Sequence, residues 1–199
     1  MPESHFAAGT SYSCRILSNA DTQGIHTAAD FIAFTHLING ETYEGRSLDE
    51  FRTEENGRNI YRLCADIEFT PEECSQLMEI GIYHNSYSER TNFNDIFDGQ
   101  GHTLTNLTLQ TPENRIRYGL FGYIEEKGII RNLHIRNSTL TVNQATEAGI
   151  LAGVNFGIIT DCSVKNSQIT GTKFSKRKYS RRMLATIADM SPIVPQKIY

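Results

Sequence analysis

The chain reads YGLFGYIEEKGIIRNLHIRNSTLT over residues 118–141 and GILAGVNFGIITDCSVKNSQIT over residues 149–170. When two residues near Glu125 are skipped, the two copies align over 22 pairs, of which 8 are identical. A weaker third copy lies upstream, where HTLTNLTL at residues 102–109 matches the Gly-Ile-Ile-Arg-Asn-Leu-His-Ile segment of the first copy. A period of about 26 to 29 residues is typical of a solenoid, in which each unit buries its apolar face against its neighbours.

The repeat predicts short strands that place alternate apolar side chains inward. The alignment puts Leu133 over Cys162, Ile135 over Val164 and Asn137 over Asn166. The residues expected to face inward are Leu107, Leu109, Leu133, Ile135, Leu140, Val142, Cys162, Val164 and Ile169. Because no unit holds the helix or the long leucine frame of a leucine-rich repeat, we predict an all-β fold, a short right-handed parallel β-helix.

Turns between the strands are predicted at asparagines and glycines. Asn tolerates left-handed backbone geometry, and stacked Asn side chains can bridge successive turns. Glycine fits bends that leave no room for a Cβ atom, so the pairs Gly122/Gly153 and Gly128/Gly157 are expected to mark corners. The residues that we assign to the structural repeat are Gly119, Leu120, Gly122, Gly128, Leu133, Ile135, Asn137, Leu151, Gly153, Gly157, Cys162, Val164 and Asn166.

Residues 25–171 are predicted to form the domain, after a loose lead-in at residues 1–24. A helix is expected over residues 27–39, with Thr27 as its N-cap and Asp30 completing a capping box. Its apolar residues, Phe31, Phe34, Leu37 and Ile38, are expected to share one face that covers the open end of the solenoid core.

Two further segments precede the repeats, which are expected over residues 97–171. Residues 41–59 are polar and charged and are predicted to form a loop. A second short helix is expected in an insertion, beginning with Pro71 after the N-cap Thr70 and using apolar residues up to Ile80.

Charge is distributed unevenly along the chain. Residues 1–171 hold 12 Lys and Arg against 22 Asp and Glu, whereas the last 28 residues hold 7 against 1. The acidic body argues against a nucleic-acid-binding domain. The repeat pattern stops after Gly171, so residues 172–199 are expected to be a disordered or non-native tail; the alternative is a functional basic motif at residues 173–182.

Nothing in the sequence predicts export or membrane insertion. The N-terminus has no recognisable signal peptide, and no stretch approaches the ~20 apolar residues of a membrane span. The chain is therefore expected to be cytoplasmic if it is complete, to leave the cell by an unrecognised route, or to be part of a longer polypeptide. Four cysteines (14, 64, 74 and 162) are too few for a disulfide scaffold and lack zinc-site spacing.

The signatures GLFG at residues 119–122 and ILAG at residues 150–153 resemble the GLUG-motif family of bacterial surface proteins. The similarity covers residues 25–69 and 95–171. This resemblance implies a β-helix module in a secreted or cell-surface protein, such as a large adhesin or the region upstream of an immunoglobulin-A-cleaving metallopeptidase. The segment between Phe69 and Phe97 is longer than is usual in that family.

Residues for catalysis are sparse. None of the six His residues lies in the H-E-x-x-H pattern of a zinc peptidase. Asp95, Asp98 and His102 are close in sequence, and DGQG at residues 98–101 is similar to a segment of polygalacturonases. Glycoside hydrolysis needs two carboxylates at a defined separation, and the sequence offers no paired Asp-Asp, no Gly-His-Gly and no nearby rung with a basic residue.

We therefore predict a non-catalytic module that acts as a structural or adhesive scaffold, without metal or cofactor. Its partner would be a host protein or a glycan held on a flat strand face, with no nucleic acid. The alternative is a polysaccharide-active β-helix enzyme that uses Asp95 and Asp98.

Overall fold

The computed structural model describes residues 23–82, 91–111, 117–143 and 147–171. These residues form an all-β fold of mostly parallel sheets with two short α-helices. The helices are α1 (Ala28–Leu37) and α2 (Pro71–Cys74). The strands are β1 (Arg52–Glu55), β2 (Arg58–Arg62), β3 (Ile67–Glu68), β4 (Ile96–Asp98), β5 (Thr103–Thr105), β6 (Thr108–Gln110), β7 (Arg117–Tyr118), β8 (Phe121–Ile124), β9 (Ile129–Arg131), β10 (His134–Arg136), β11 (Thr139–Val142), β12 (Glu147–Ala148), β13 (Ala152–Asn155), β14 (Ile158–Thr160), β15 (Ser163–Lys165) and β16 (Gln168–Gly171).

Helix α1 begins with the predicted capping box. The Thr27 side chain accepts a hydrogen bond from the Asp30 amide, and the Asp30 carboxylate accepts one from the Thr27 amide. The helix ends at Leu37, two residues before the predicted limit. The predicted apolar residues pack on the core, and Ile32 and Thr35, which lie outside the predicted face, are buried as well. The middle of α1 is thus enclosed by the fold and does not lie on its surface.

Helix α2 also begins as predicted but is shorter. Thr70 and Glu73 form the capping box, and the helix ends at Cys74. The expected extension to Ile80 is wrong. The Ile80 amide donates to the Leu120 carbonyl at 2.8 Å, and its carbonyl accepts from the Gly122 amide at 2.8 Å. Strand-type pairing with β8 therefore replaces the last helical turn.

Residues 41–59 are not a plain loop. They contain a 3₁₀ helix at Leu48–Glu50 and strand β1, which forms an antiparallel hairpin with β2. Three of the four residues of β1 are charged, so hydrophobic alternation could not reveal this strand. None of the helices in the described parts of the chain is long and apolar enough to cross a membrane.

The repeats stack as three units with parallel pairing. Unit 1 comprises β4–β6, unit 2 comprises β8–β11 and unit 3 comprises β13–β16. Strand β9 pairs with β4 and β14, β10 pairs with β5 and β15, and β11 pairs with β6 and β16. Ile135 is paired with Val164, as the repeat alignment predicts.

The alignment of the two good copies is confirmed, including its two-residue gap. Phe121 pairs with Ala152, a separation of 31 residues, and Ile129 pairs with Ile158, a separation of 29. The difference of two residues falls between β8 and β9, which is where Glu125 was skipped.

The predicted register of the upstream copy is wrong. Leu109 pairs with Leu140 and not with Ile135, whose neighbour in unit 1 is Leu104. Four residues separate β4 from β5, whereas two separate β9 from β10. The sequence match aligned Asn106-Leu107, which follows β5, with Asn132-Leu133, which precedes β10, so it equated two different corners of the repeat.

The interior of the stack is aliphatic, and its N-terminal end is aromatic. Phe34 of α1 lies 5.0 Å from the Tyr61 ring centroid and 5.8 Å from that of Phe97. The Phe97 ring meets Phe121 of unit 2 at 5.5 Å. Helix α1 and its aromatic side chains thus close this end of the core, as the sequence predicts.

Replacement of Leu133 by Asp tests the interior assignment. Leu133 is 0% exposed, and a carboxylate there would lie without water in an aliphatic interior. We expect a loss of more than about 4 kcal/mol of unfolding free energy, measured by urea unfolding followed by circular dichroism. Thr141→Asp is the control, because Thr141 is only half-buried on the outer side of β11. An unchanged unfolding curve for Leu133→Asp would contradict the packing described here.

Candidate functional site

The candidate carboxylate Asp98 belongs to a charged network on the outer side of the first sheet. Neighbouring strands bring Arg62, Asp98 and Arg131 side by side. Asp98 accepts a hydrogen bond from Arg131 Nε at 2.7 Å, and Glu55 accepts from the guanidinium groups of Arg131 at 3.4 Å and Arg62 at 3.2 Å. The expectation of no nearby basic residue is wrong, because strand pairing brings Arg131 from 33 residues away.

Both oxygens of Asp98 are occupied. Oδ1 accepts hydrogen bonds from Asn132 Nδ2 at 3.1 Å and from the Gln100 amide at 2.9 Å. Burial alone would raise the pKa of Asp98, but the hydrogen bonds from Asn132, Gln100 and Arg131 hold the pKa below its ordinary value of 3.8. Asp98 is therefore a stable anion and a poor proton donor.

The other two residues of the candidate site lie in separate contacts. The Asp95 carboxylate accepts hydrogen bonds from Asn59 Nδ2 and the Tyr61 hydroxyl, each at 3.4 Å. His102 Nδ1 lies 3.2 Å from Asp66 Oδ1. Asp95, Asp98 and His102 thus have different partners, and no hydrogen bond between any two of them is found among the described residues.

The corners between strands use left-handed backbone geometry at stacked positions. Asn106, Asn137 and Asn166 follow β5, β10 and β15 with φ of 64°, 51° and 51°. The corner before β10 has Asn132 at φ 54°, and the one before β15 has Asp161 at φ 53°. The prediction of left-handed Asn at residues 137 and 166 is confirmed.

The side chains that bridge these corners are serines, which the sequence interpretation missed. Ser138 Oγ accepts from the Leu107 amide at 3.1 Å and donates to the Arg136 carbonyl at 2.8 Å. Ser167 Oγ accepts from the Ser138 amide at 3.0 Å and donates to the Lys165 carbonyl at 2.8 Å. The repeated Asn-Ser pair at 137–138 and 166–167 was the signal for this ladder.

The last glycines of the two signatures, Gly122 and Gly153, let neighbouring atoms come close to the backbone, and they do not form bends. Gly122 and Gly153 lie inside β8 and β13, and neither has a positive φ. A Cβ atom on Gly122 would overlap the carboxylate of the buried Glu79. A Cβ atom on Gly153 would meet the Tyr118 amide nitrogen at 2.8 Å and the Gly122 carbonyl oxygen at 2.9 Å. The expectation that this pair marks corners is therefore wrong.

An open depression of about 390 Å³ lies near the start of α1. Its central cation, Arg46, contacts Asp30 at 2.9 Å and Glu50 at 2.8 Å and lies 4.9 Å from the Phe51 ring centroid. The same two carboxylates complete the capping boxes of α1 and of the 3₁₀ helix. These charged groups link the start of α1 to the start of the 3₁₀ helix, and because they are paired with one another, few hydrogen-bonding groups remain for a ligand.

A serine and a histidine meet on the outer side of β10 and β15. His134 Nδ1 lies 2.9 Å from Ser163 Oγ, a distance typical of a nucleophile and its base. In the described part of the chain no carboxylate is hydrogen-bonded to His134. The Ser163 amide donates its hydrogen bond to the Leu133 carbonyl in the sheet. This pair therefore lacks both the orienting group and the free amides of an acyl-transfer site.

Thiols and acidic clusters give no metal site in the described residues, where no group of three or more His, Cys, Asp and Glu side chains could hold an ion. Cys64, Cys74 and Cys162 are free. Burial raises the pKa of each of these thiols. Cys162 is half-buried in unit 3. Cys14 and the basic segment 173–182 lie outside the described residues.

Comparisons with known proteins find similarity to two much longer chains. The chain is 27% identical over 159 residues to halomucin of Haloquadratum walsbyi, a match that covers 74% of this chain and 2% of that protein. It is 37% identical over 75 residues to a protein of Evansella cellulosilytica described as a Gly-rich membrane protein, covering 37% of this chain and 8% of that protein. No family model and no solved structure matches the chain.

A double-mutant cycle tests the contact of Gly122 with Glu79. Gly122→Ala is expected to cost about 1–3 kcal/mol of unfolding free energy, because the new methyl group overlaps a buried carboxylate. In a Glu79→Ala background the cost of Gly122→Ala should fall clearly below that value.

Gly153→Ala is the matched control for this cycle. Its Cβ atom meets backbone atoms, so its cost should be the same with Glu79 and with Ala at position 79. Equal costs of Gly122→Ala in the two backgrounds, measured by urea unfolding, would contradict the contact.

Asp98 should make stability depend on acid pH. Because its pKa is lower in the folded than in the unfolded state, its contribution is present above pH ~5 and is lost as pH falls through and below 3.8. Asp98→Asn should therefore cost roughly 1–2 kcal/mol at neutral pH and much less near pH 2. Thermal unfolding across this range measures the difference, and Glu126→Gln, which removes an exposed charge, reports the effect of net charge alone. A cost that does not change with pH would contradict the ionised network.

Proposed function

We propose that residues 25–171 are a non-catalytic repeat module, a right-handed parallel β-helix that acts as a structural or adhesive scaffold. The observation that carries the proposal is the common register of units 1 to 3. Three separate sheets repeat the same strand order, and Ile135, for example, has Leu104 on one side and Val164 on the other. Such stacking builds a body with broad strand faces.

The β-helical winding is supported by the connections between units. Each strand of unit 2 returns to a parallel neighbour in the same sheet after 29 to 31 residues, as from β9 to β14 and from β8 to β13. Connections of this kind are right-handed in the great majority of proteins.

The non-catalytic part of the proposal rests on how the acidic groups are used. The Asp98 carboxylate accepts hydrogen bonds from Arg131 and from a backbone amide at a corner, whereas the Asp95 carboxylate accepts them from Asn59 and Tyr61. A glycosidase needs one carboxylic acid with a raised pKa and one free carboxylate on either side of the scissile bond. Asp98 has the opposite pKa shift, and Asp95 belongs to a different cluster.

A binding role is supported by the outer side of the third sheet. Its strands align Thr108 with Thr139 and Gln168, and Gln110 with Thr141 and Thr170. Rows of hydroxyl and amide groups suit a glycan or a polar protein surface, which are the partners that we propose for this face.

The setting is a cell-surface or extracellular protein, with this chain as one module of a longer polypeptide. The resemblance of the GLFG and ILAG signatures to the GLUG-motif family of bacterial surface proteins supports this setting. The similarity to halomucin and to a protein described as a membrane protein, both far longer than this chain, supports it further.

One experiment distinguishes the scaffold hypothesis from the enzyme hypothesis. The purified chain is applied to immobilised neutral and acidic polysaccharides, and both retained protein and released sugar ends are measured. We expect retention without product, weakened by Thr141→Arg, which crowds the face of the third sheet. Retention should persist in Asp95→Asn and Asp98→Asn.

Product release that Asp95→Asn and Asp98→Asn abolish would favour the polysaccharide-active enzyme instead. Asp49→Asn, which changes an exposed carboxylate next to Arg52, is the control for loss of charge. Retention that Thr141→Arg leaves unchanged would exclude the third sheet as the binding face.

A further inference from the structure

One arginine of the second sheet, which consists of β3, β5, β10 and β15, has no partner for its guanidinium group. The other arginines in the described part of the chain form an ion pair with a carboxylate or donate to a backbone carbonyl; they are Arg46, Arg52, Arg58, Arg62, Arg117 and Arg131. Arg136, the last residue of β10, is exposed and forms neither an ion pair nor a side-chain hydrogen bond with a described residue. Its charge is therefore available to an external anion.

Lys165 stands directly beside Arg136 on the neighbouring strand β15. The residues before them, Ile135 and Val164, are buried, so both cations lie on the outer side of the sheet. Lys165 is also exposed, and its ammonium group has no ion pair among the described residues. Like charges on directly paired residues destabilise a sheet. An anion held between the two side chains would offset this repulsion.

The outer side of the second sheet stays open whatever follows β15. Strand β10 lies between β5 and β15, and Arg136 is exposed although both neighbouring strands are present. A further strand would join β15 at its edge, in the plane of the sheet, and would leave the outer side of Lys165 as open as that of Arg136. The two cations are therefore a feature of the lateral surface and do not depend on how the stack ends.

Two carboxylates near β3 are engaged in other contacts. The Asp66 carboxylate accepts a hydrogen bond from the Thr103 amide at 2.8 Å, and this bond is the main reason why its pKa is below the ordinary value of 3.8. The charge of Arg136 contributes least to this lowering of the pKa. Glu68 accepts a hydrogen bond from Asn106 Nδ2 at 2.8 Å. Neither carboxylate forms an ion pair with Arg136.

Polar groups continue from the two cations around the next corner. Arg136 is followed by the exposed Asn137 and, after the buried Ser138, by Thr139 at the start of β11. The carboxamides of Asn137 and of its counterpart in unit 3 make no hydrogen bond with another described residue. Neighbouring strands are ~4.8 Å apart, which is close to the length of one hexose unit in an extended polysaccharide. We call these outward side chains of units 2 and 3 the corner strip: Arg136, Asn137, Thr139, Lys165, Asn166 and Gln168.

We propose that the corner strip binds the carboxylate groups of an acidic polysaccharide. The planar guanidinium of Arg136 holds one carboxylate through two parallel hydrogen bonds, and the ammonium of Lys165 adds a second positive charge beside the same group. The neighbouring carboxamides and the Thr139 hydroxyl bind the hydroxyl groups of the sugar rings. The proposal rests on the glycan-binding role proposed above for the third sheet, and it adds the class of glycan and the residues that select it.

The charge of the whole domain favours a sparsely charged polymer over denser polyanions. Residues 1–171 hold 22 acidic against 12 basic residues, so a nucleic acid or a run of acidic amino acids would meet repulsion along its length. Repulsion between exposed charges is screened beyond ~8 Å at physiological ionic strength. A polysaccharide with one carboxylate per sugar ring meets two cations at short range and uncharged hydrogen-bonding groups beside them.

Polygalacturonate and the same polymer after methyl esterification test the proposal, because the ester lacks the negative charge of the carboxylate. The wild-type chain should bind the immobilised free acid with a dissociation constant at least about tenfold lower than that for the ester. Arg136→Gln should remove most of this preference, and Arg136→Lys should retain only part of it, because an ammonium group cannot form the bidentate contact. Lys127→Gln, which removes an exposed lysine outside the strip, is the matched control and should bind like the wild type.

Thermal unfolding checks that the variants fold, and Lys165→Gln gives a second measurement of the same preference. Equal binding to the two polymers, or a preference that Arg136→Gln and Lys165→Gln leave unchanged, overturns this proposal while the glycan-binding face of the third sheet stands. Equally tight binding of poly-glutamate also overturns it, because the partner would then be an acidic protein segment. Failure of the proposed function looks different: the chain would be retained on neither neutral nor acidic polysaccharides, and both proposals would fall.

Discussion

Parallel backbone pairing between successive units is the constraint on which this fold depends. Strands β9, β10 and β11 of unit 2 each have a partner strand on both sides, so their amides and carbonyls are satisfied only if the flanking units have strands at the same height. Length differences are therefore confined to the connections, such as residues 99–102 and the Glu125 region. The left-handed corners at Asn137 and Asn166 follow from the same constraint, because an abrupt bend with in-register strands requires a residue that tolerates positive φ.

Pairing of this kind satisfies the backbone groups of a strand inside the stack, but it leaves the core and the backbone groups at the two ends of the stack uncovered. The N-terminal end is closed by α1, whose Phe31 and Phe34 rings pack on the aromatic side chains of the first strands. The insertion with α2 covers an additional edge, where the Cys74 thiol accepts a hydrogen bond from the Thr108 amide at 3.3 Å. Unit 3 has the same core positions without comparable cover in the described residues, so Ile159, Cys162 and Ile169 are more exposed than their counterparts in unit 2.

The sequence predicted the features that depend on local chemistry or on similarity between copies. Both capping boxes, the left-handed Asn137 and Asn166 and the pairing of Ile135 with Val164 could be predicted in this way. Features that depend on pairing between unlike segments were not predictable. Asn-Leu stands before β10 in unit 2, at Asn132-Leu133, but after β5 in unit 1, at Asn106-Leu107, so sequence alone could not tell Leu104 from Leu109 as the neighbour of Ile135. Strand β1 is too polar to reveal itself by periodicity.

The candidate site shows the same division. Asp95, Asp98 and His102 are close in sequence, yet each takes side-chain partners from a different part of the chain: Asp95 from β2, Asp98 from β9 and the corner after it, and His102 from Asp66. Asp98 is needed twice by the stack: it accepts the Gln100 amide at a corner, and it balances Arg131 on the neighbouring strand. A substrate that used this carboxylate would have to break both contacts at a largely buried position. The free energy lost with these hydrogen bonds would have to be offset by the free energy of substrate binding. We therefore propose that recognition on such a scaffold uses groups that pairing leaves available, such as the outward Thr and Gln rows of the third sheet.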